Sequence, residues 1–350
     1  MMRRQSQDKR RRSIPYAFEL TVLVVVAAIG AGVLAFFGER VEKVWQKVAA
    51  PLSFAQVRDI YPDALDLDEG PDGRIWLLTK YGISRFQPGL ESVSEKILDG
   101  PRYRALFGHD MNALSTLRVT GADQAWIGSW YGELFHYRNR SWRQLSQRGD
   151  PLSGRIRAVA VARDGVYVGG QNGLWRWTEA NGAIAKVPRA PRGGVNAIET
   201  DAAGRLLAAV GNALWQGDHG EWTRLWQGTQ QDGRINVLKA FDGGWWVGTE
   251  DGVVGLTATG EVIGRYLTGM SVSSIAERDN VLWAATWGQG LVARMGENVV
   301  PVGVSVDGRD KHLTDILVDS KGVLWVTLYG KGAALVGVDS LTELLRPDSN

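Results

Sequence analysis

Residues 235–256 read INVLKAFDGGWWVGTEDGVVGL, and this stretch decides the fold. An alternating apolar run ends at Phe241, Asp242 and Gly243 supply a turn, and a tryptophan-containing run follows through Thr249. Asp251 and Gly252 turn the chain again into Val253, Val254 and Leu256. Short apolar runs of period two, bounded by Asp-Gly pairs, predict antiparallel strands: alternate side chains share one face and glycine supplies the positive φ of a tight turn.

Six other segments follow the same plan. They are DALDLDEGPDGRIWLLTKYGISRF from Asp63, MNALSTLRVTGADQAWIGSWYGELFHY from Met111, IRAVAVARDGVYVGGQNGLWRW from Ile156, VNAIETDAAGRLLAAVGNALWQG from Val195, VSSIAERDNVLWAATWGQGLVAR from Val272 and LTDILVDSKGVLWVTLYGKGAALV from Leu313. The large residue of the second strand falls at Trp76, Trp126, Tyr167, Leu207, Trp246, Trp283 and Trp325, with spacings of 50, 41, 40, 39, 37 and 42. A fourth strand with a large residue often follows, as in SWRQL from Ser141 and EWTRLW from Glu221. Four short strands in a period near 40 make a propeller blade; a β-helix repeats sooner and a helical solenoid needs a 3.6-residue period. The expected architecture is all-β, a seven-bladed β-propeller of four-stranded antiparallel blades over residues 54–345. A propeller must join its last blade to its first, and FAQVRDI at 54–60 is expected to supply the outer strand of the last blade, with LTELL from Leu341 as the alternative.

These segments resemble the propeller repeats in the sensor regions of two-component regulators, whose pattern runs roughly N-x-V, D-x-x-G-x-L-W-[IV]-G-T and G-G-L. Asn196 to Leu214, Asn236 to Val253 and Asp319 to Gly332 match it best, and the resemblance covers residues 63 to about 338. It implies a propeller and, for function, little more, because such repeats are structural units. No kinase, response regulator or other output domain follows the repeats, so any signal would leave through a partner.

The composition agrees with many short strands: 15 Trp and 44 Gly against 11 Pro, with 44% hydrophobic and 22% charged residues. Residues 1–12 hold six basic side chains against Asp8, a local +5 within a formal +2, so the remainder is near −3 and offers no basic stripe for nucleic acid. The absence of cysteine excludes disulfides, thiolate metal sites and a cysteine nucleophile. No phosphate-cradling loop, zinc pattern or G-x-S-x-G elbow occurs, and no cofactor or metal is expected.

LTVLVVVAAIGAGVLAFF, from Leu20 to Phe37, is 18 residues without a charge, enough nearly to span a hydrocarbon core of about 30 Å. Preceded by the basic cluster, it predicts a single transmembrane helix over 14–38 with residues 1–13 as a cytoplasmic tail, 39–53 as a stalk and the propeller outside a bacterial cytoplasmic membrane, in the periplasm or beyond. A cleaved signal peptide is the competing reading, although the apolar run is longer than usual and no clear small-x-small site follows it before Gly38.

Turns between second and third strands share a face with the connections between blades. Tyr81, Trp130, Tyr131, Trp287 and Tyr329 lie there, in repeats that become neighbours on closure, and form a candidate binding arc for a protein, a peptide or a glycan; packing across neighbouring turns is the bland alternative. The inner strands open with Asp63, Asn112, Arg157, Asn196, Asn236, Ser273 and Thr314, which would ring the channel. Arg155, Arg192 and Arg234 in the connections form a modest basic patch. His109 and His312, near Asp110 and Asp315, are the candidates for the alternative, a propeller enzyme of the lyase or lactonase type like the streptogramin lyases, whereas His136 and His219 fall elsewhere. Asp66, Asp68 and Asp72 have a spacing loosely like a calcium loop, but the distal Glu is missing and an ordinary turn accounts for them.

Overall fold

In a computed structural model of the chain, residues 55–56, 63–87, 95–147, 151–302 and 311–337 are described, apart from positions 112, 202, 219 and 297. They form seven four-stranded antiparallel sheets. The innermost strands, blades 1 to 7 in order, are Ala64–Glu69, Leu114–Gly121, Ile156–Ala162, Val195–Thr200, Ile235–Phe241, Val272–Arg278 and Leu313–Val318. Each packs against the innermost strand of the next blade, and that of blade 7 packs against blade 1, which closes the ring. Ala55 and Gln56 pair antiparallel with Leu335 and Ala334 as the outer strand of blade 7, so the early segment supplies the closing strand.

The repeat residue of the second strand builds the core between blades. Trp76, Trp126, Tyr167, Leu207, Trp246, Trp283 and Trp325 are all buried. Trp325 Nε1 donates to Asp319 Oδ2 at 2.9 Å within its blade, and Trp246 Nε1 reaches Glu277 Oε2 of the next blade at 2.6 Å. The glycine after the tryptophan in the repeat has a steric cause. A Cβ on Gly248 would stand 2.5 Å from Val237 Cγ1 and 2.9 Å from Val272 Cγ1 of the following blade. Gly128 and Gly169 are crowded likewise by Ile156 and Val195 of theirs, so the first residue of each of these inner strands seats in the hole left by the preceding blade's glycine.

Every inner strand carries a bulge at its second residue: the register shifts across Leu65, Ser115, Arg157, Asn196, Asn236, Ser273 and Thr314. The bulge leaves that residue without a pairing partner and re-aims its side chain, here toward the channel. In blades 1 and 2 this position is held by Leu65 and Ser115, which corrects the expected Asp63; the expected Asn112 lies outside the described residues. Asp63 instead precedes the strand with φ 65 and accepts the Lys80 N–H at 3.1 Å.

The long spacing between repeats 1 and 2 contains a helix, Gly100–Phe107, that the strand pattern does not anticipate. Asp99 caps it by accepting the Arg102 N–H, Pro101 lies in its first turn, and Gly108 ends it with φ 77. Tyr103 is its buried residue and donates to Glu133 at 3.3 Å. Among the described residues no helix is long and apolar enough to cross a membrane. The tail, span and stalk expected at residues 1–53 lie outside the described residues, as do LTELL and His219.

Candidate functional site

One backbone hydrogen bond recurs around the face that carries the second-to-third turns. The first turn residue donates its N–H to the carbonyl of the residue just before its blade's innermost strand: Trp130 to Ala113 at 2.8 Å, Gln171 to Arg155 at 3.3 Å, Glu250 to Arg234 at 3.1 Å, Trp287 to Ser271 at 2.8 Å and Tyr329 to His312 at 3.0 Å. The bond pins that first residue at the channel mouth. In blade 1 the donor is Lys80, with Tyr81 one position further on. Trp130, Trp287 and Tyr329 accordingly line the central cavity, whereas Tyr81 and Tyr131, though exposed, do not. The aromatic arc is therefore divided: three rings at the mouth and two outside it, with Lys80 between. Trp287 and Tyr329 meet edge to face at 5.3 Å.

Below the mouth, the bulge residues stitch neighbouring blades together. Ser115 Oγ donates to Ile156 O, Ser273 Oγ to Leu313 O, Thr314 Oγ1 to Ala64 O across the closing seam, and Asn236 Nδ2 to Val272 O, at 2.7, 2.7, 2.8 and 3.0 Å. Arg157 hydrogen-bonds the amide oxygen of Asn196 in the next blade. These contacts give Asn196, Asn236 and Arg157 a structural duty in addition to their place at the cavity.

Deeper still, the free edge of each inner strand presents N–H groups to the channel. Three aspartates satisfy those of the following blade: Asp315 Oδ2 accepts from Leu67, Asp66 Oδ2 from Leu117 and Asp68 Oδ2 from Val119, each at 2.7 Å. Burial and the neighbouring carboxylate raise Asp66 well above the usual carboxylate range; burial also raises Asp315, with which it is paired across the seam. Burial likewise raises Asp68, against the pull of Arg118. Arg118 and Glu199 bridge blades 2 and 4 at 2.8 Å, passing blade 3 where the strand offers only Ala160 at the matching position. The channel is thus acidic on blades 7 and 1 and basic on blades 3 and 5, where Arg155, Arg157, Arg234 and Lys239 line it, with Arg118 of blade 2 paired to Glu199 of blade 4.

The whole opening is a cavity of about 800 Å³. Arg155 lies 4.2 Å from the centre of the Trp130 ring. Its buried Nε has no hydrogen-bond partner among the described residues. Burial first, then the charge of Arg157, lowers the pKa of Arg155; burial and Arg234 do the same to Arg157. Arg234 pairs with Glu250 at 3.1 Å. Arg192 is exposed and does not line the cavity.

The two candidate catalytic histidines do not enter this cavity. His109 packs edge-on against Tyr103 at 5.4 Å and meets the Asp110 carbonyl at 3.0 Å, while the Asp110 carboxylate is engaged by Arg104. His312 packs against Trp287 at 4.7 Å. His136 stacks on Trp126 at 3.9 Å in the third strand of blade 2. Asp72 sits in the turn with Arg74 at 3.4 Å, away from the strand positions of Asp66 and Asp68, so the three do not form a calcium loop. Among the described residues no cluster of His, Cys, Asp or Glu could hold a metal ion.

The chain matches no protein-family model, and no curated protein matches it. Many solved structures share its fold. The extracellular domain of a proposed one-component system from B. thetaiotaomicron superposes with a TM-score of 0.65 at 15% identity, covering 82% of this chain and 40% of that one. The extracellular domain of a proposed hybrid two-component system from B. thetaiotaomicron does so with a TM-score of 0.65 at 16% identity, covering 79% and 40%. A catalytically inactive virginiamycin B lyase from Staphylococcus aureus with quinupristin gives a TM-score of 0.65 at 14% identity, covering 81% and 98%. At such identities the likeness establishes the propeller fold, and this chain spans about 40% of the length of the sensor chains it matches.

Proposed function

We propose that this chain is a non-enzymatic binding scaffold or receptor, held in a bacterial cytoplasmic membrane by residues 14–38 with its propeller in the periplasm or outside. It docks a protein or peptide partner, or a glycan, through the face that carries the turn aromatics. The observation that carries this reading is the ring of exposed rings at one opening: Trp130, Trp287 and Tyr329 are 41%, 47% and 55% exposed around the cavity, on turns that backbone hydrogen bonds hold in place. Large aromatic side chains left in solvent are costly unless something covers them, and they bind with little loss of side-chain entropy. Tyr81 and Tyr131, at 44% and 43%, extend the same face outward. The likeness to extracellular sensor propellers supports a binding role, and the uncharged run from Leu20 to Phe37 supports the anchor.

The alternative, a lyase or lactonase, is supported by the likeness to virginiamycin B lyase. It is disfavoured by the position of His109 and His312 outside the cavity. Crosslinking on membranes followed by affinity purification of the full chain tests the choice. The binding reading expects a co-purifying partner that Trp130→Ala with Trp287→Ala releases and that His109→Ala with His312→Ala retains. Capture unaffected by the tryptophan changes, with loss of phenotype in the histidine variant, would favour the enzyme.

A further inference from the structure

The channel mouth holds a second feature that the aromatic face does not explain. Arg155, Arg157 and Arg234 converge on the same cavity, close enough that, beside burial, Arg157 and Arg234 weaken the hold of Arg155 on its proton and Arg234 weakens that of Arg157. Among the described residues, Arg234 alone of the three has a carboxylate ion-pair partner, Glu250. The partner of Arg157 is the neutral amide of Asn196. Arg155 rests on the Trp130 ring with its Nε buried and without a hydrogen-bond partner among the described residues. Gathering guanidinium groups against their own repulsion, with two of them in no ion pair among the described residues, leaves a local positive field that an incoming oxyanion would neutralise.

Resting on the binding reading above, we infer that Arg155 and Arg157 form a carboxylate subsite at the channel mouth, and that the docked ligand is a sugar, free or at a chain end, that carries a carboxylate on its pyranose ring. Three considerations fix this chemistry. A guanidinium fork matches a planar carboxylate in two parallel hydrogen bonds. Trp130 lies beneath Arg155, with Trp287 and Tyr329 across the opening, so a ring attached to the carboxylate has aromatic faces to cover it. The opposite wall carries Asp66, Asp68 and Asp315, and Arg234 is already shared with Glu250, so the residual field suits one negative charge better than the two of a phosphate. About 800 Å³ also falls within the range of small-molecule sites.

Equilibrium binding to the full chain in nanodiscs, using glucuronate, glucose 6-phosphate and glucose, separates the contributions, because the three probes share a ring and differ in the charge it bears. Glucuronate is expected to bind about 10-fold or more tightly than glucose, a difference that shrinks with added salt. Arg155→Gln and Arg157→Gln should each remove most of that preference, Arg157→Lys should keep part of it, and Arg189→Gln, an exposed arginine paired with Glu221, should leave it intact. A thermal melt of each variant shows whether the ring is folded. Glucuronate no tighter than glucose, a preference unchanged in folded Arg155→Gln and Arg157→Gln, or tighter binding of glucose 6-phosphate each overturns the carboxylate subsite. If the membrane partner is still captured through Trp130 and Trp287 in that case, the subsite alone fails; if capture is absent too, the binding reading fails with it.

Discussion

Replacing Gly248 by valine tests how the ring is held together. The glycine's place is filled from its own inner strand and from the next blade: an added Cβ would lie 2.5 Å from Val237 Cγ1 of blade 5, and 2.9 Å from Val272 Cγ1 and 3.1 Å from Ile275 Cδ1 of blade 6. The two nearest atoms belong to short, stiff valine side chains, so relief requires the inner strands of blades 5 and 6 both to shift away from the added group. Overpacking of this kind costs about 3 kcal/mol. At roughly 2 °C per kcal/mol for a domain of this size, the melting temperature should fall by about 6 °C. Gly248→Ala should cost about 1 kcal/mol, since Ala209 and Ala285 occupy the matching place in blades 4 and 6. Adding Val272→Ala to Gly248→Val shortens the opposing side chain and should recover about 1 kcal/mol relative to additivity. Calorimetry of the four proteins measures the cycle. A melting temperature unchanged by Gly248→Val, or effects that simply add, would refute the interlocking of glycine and valine between blades.

Three further outcomes follow from the channel. Asp66 and Asp315 have raised pKa values in the fold, so the stability they contribute is complete below the ordinary aspartate range and is lost as the pH rises through their folded values. Asp315→Asn, which can still accept from Leu67 while donating to Asp66, should therefore melt higher than the parent at neutral pH, with the gain shrinking toward pH 4; a constant difference across pH contradicts the raised pKa values of the pair. Glu199→Gln leaves Arg118 in the channel with a weaker partner and should cost about 2 kcal/mol in chemical denaturation, whereas no loss would mean the bridge is dispensable. Thr314→Val removes the donor to the Ala64 carbonyl at the closing seam and should cost about 1 kcal/mol, seen as faster exchange of blade 1 and blade 7 amides; exchange confined to other blades would place the weak point elsewhere.

The ring is legible in the sequence because its strongest signals are local and repeated. A large residue at Trp76, Trp126, Tyr167, Leu207, Trp246, Trp283 and Trp325 and a turn after each strand fix blade number and strand order without any long-range knowledge. The closing strand at Ala55 and Gln56 follows from the same bookkeeping of unpaired strands. Register on the channel side is harder to read. A bulge at the second residue of each inner strand resets the alternation, so a period-two pattern cannot say that Leu65 rather than Asp63 faces inward, or that Arg118, Glu199 and Lys239 share one level of the channel. Asp66 and Asp68 look like turn residues in DLDEGPDG, and only the neighbouring strand edge reveals that they cap its N–H groups. Tyr81 and Trp130 look equivalent by spacing, yet one extra position in the turn separates the cavity from the outer face. The capped helix after Asp99 does carry its own signals, Asp99, Pro101 and Gly108, within a connection whose length alone marks it as unusual.

Site-specific photocrosslinking in intact membranes tests the binding face most directly. A photoreactive residue in place of Tyr329, at the cavity mouth, is compared with one in place of Asn139, exposed in a turn at the other end of the blades. A discrete adduct from position 329 and none from position 139 is the predicted result; adducts from 139 alone would contradict the assignment of the aromatic face as the docking surface.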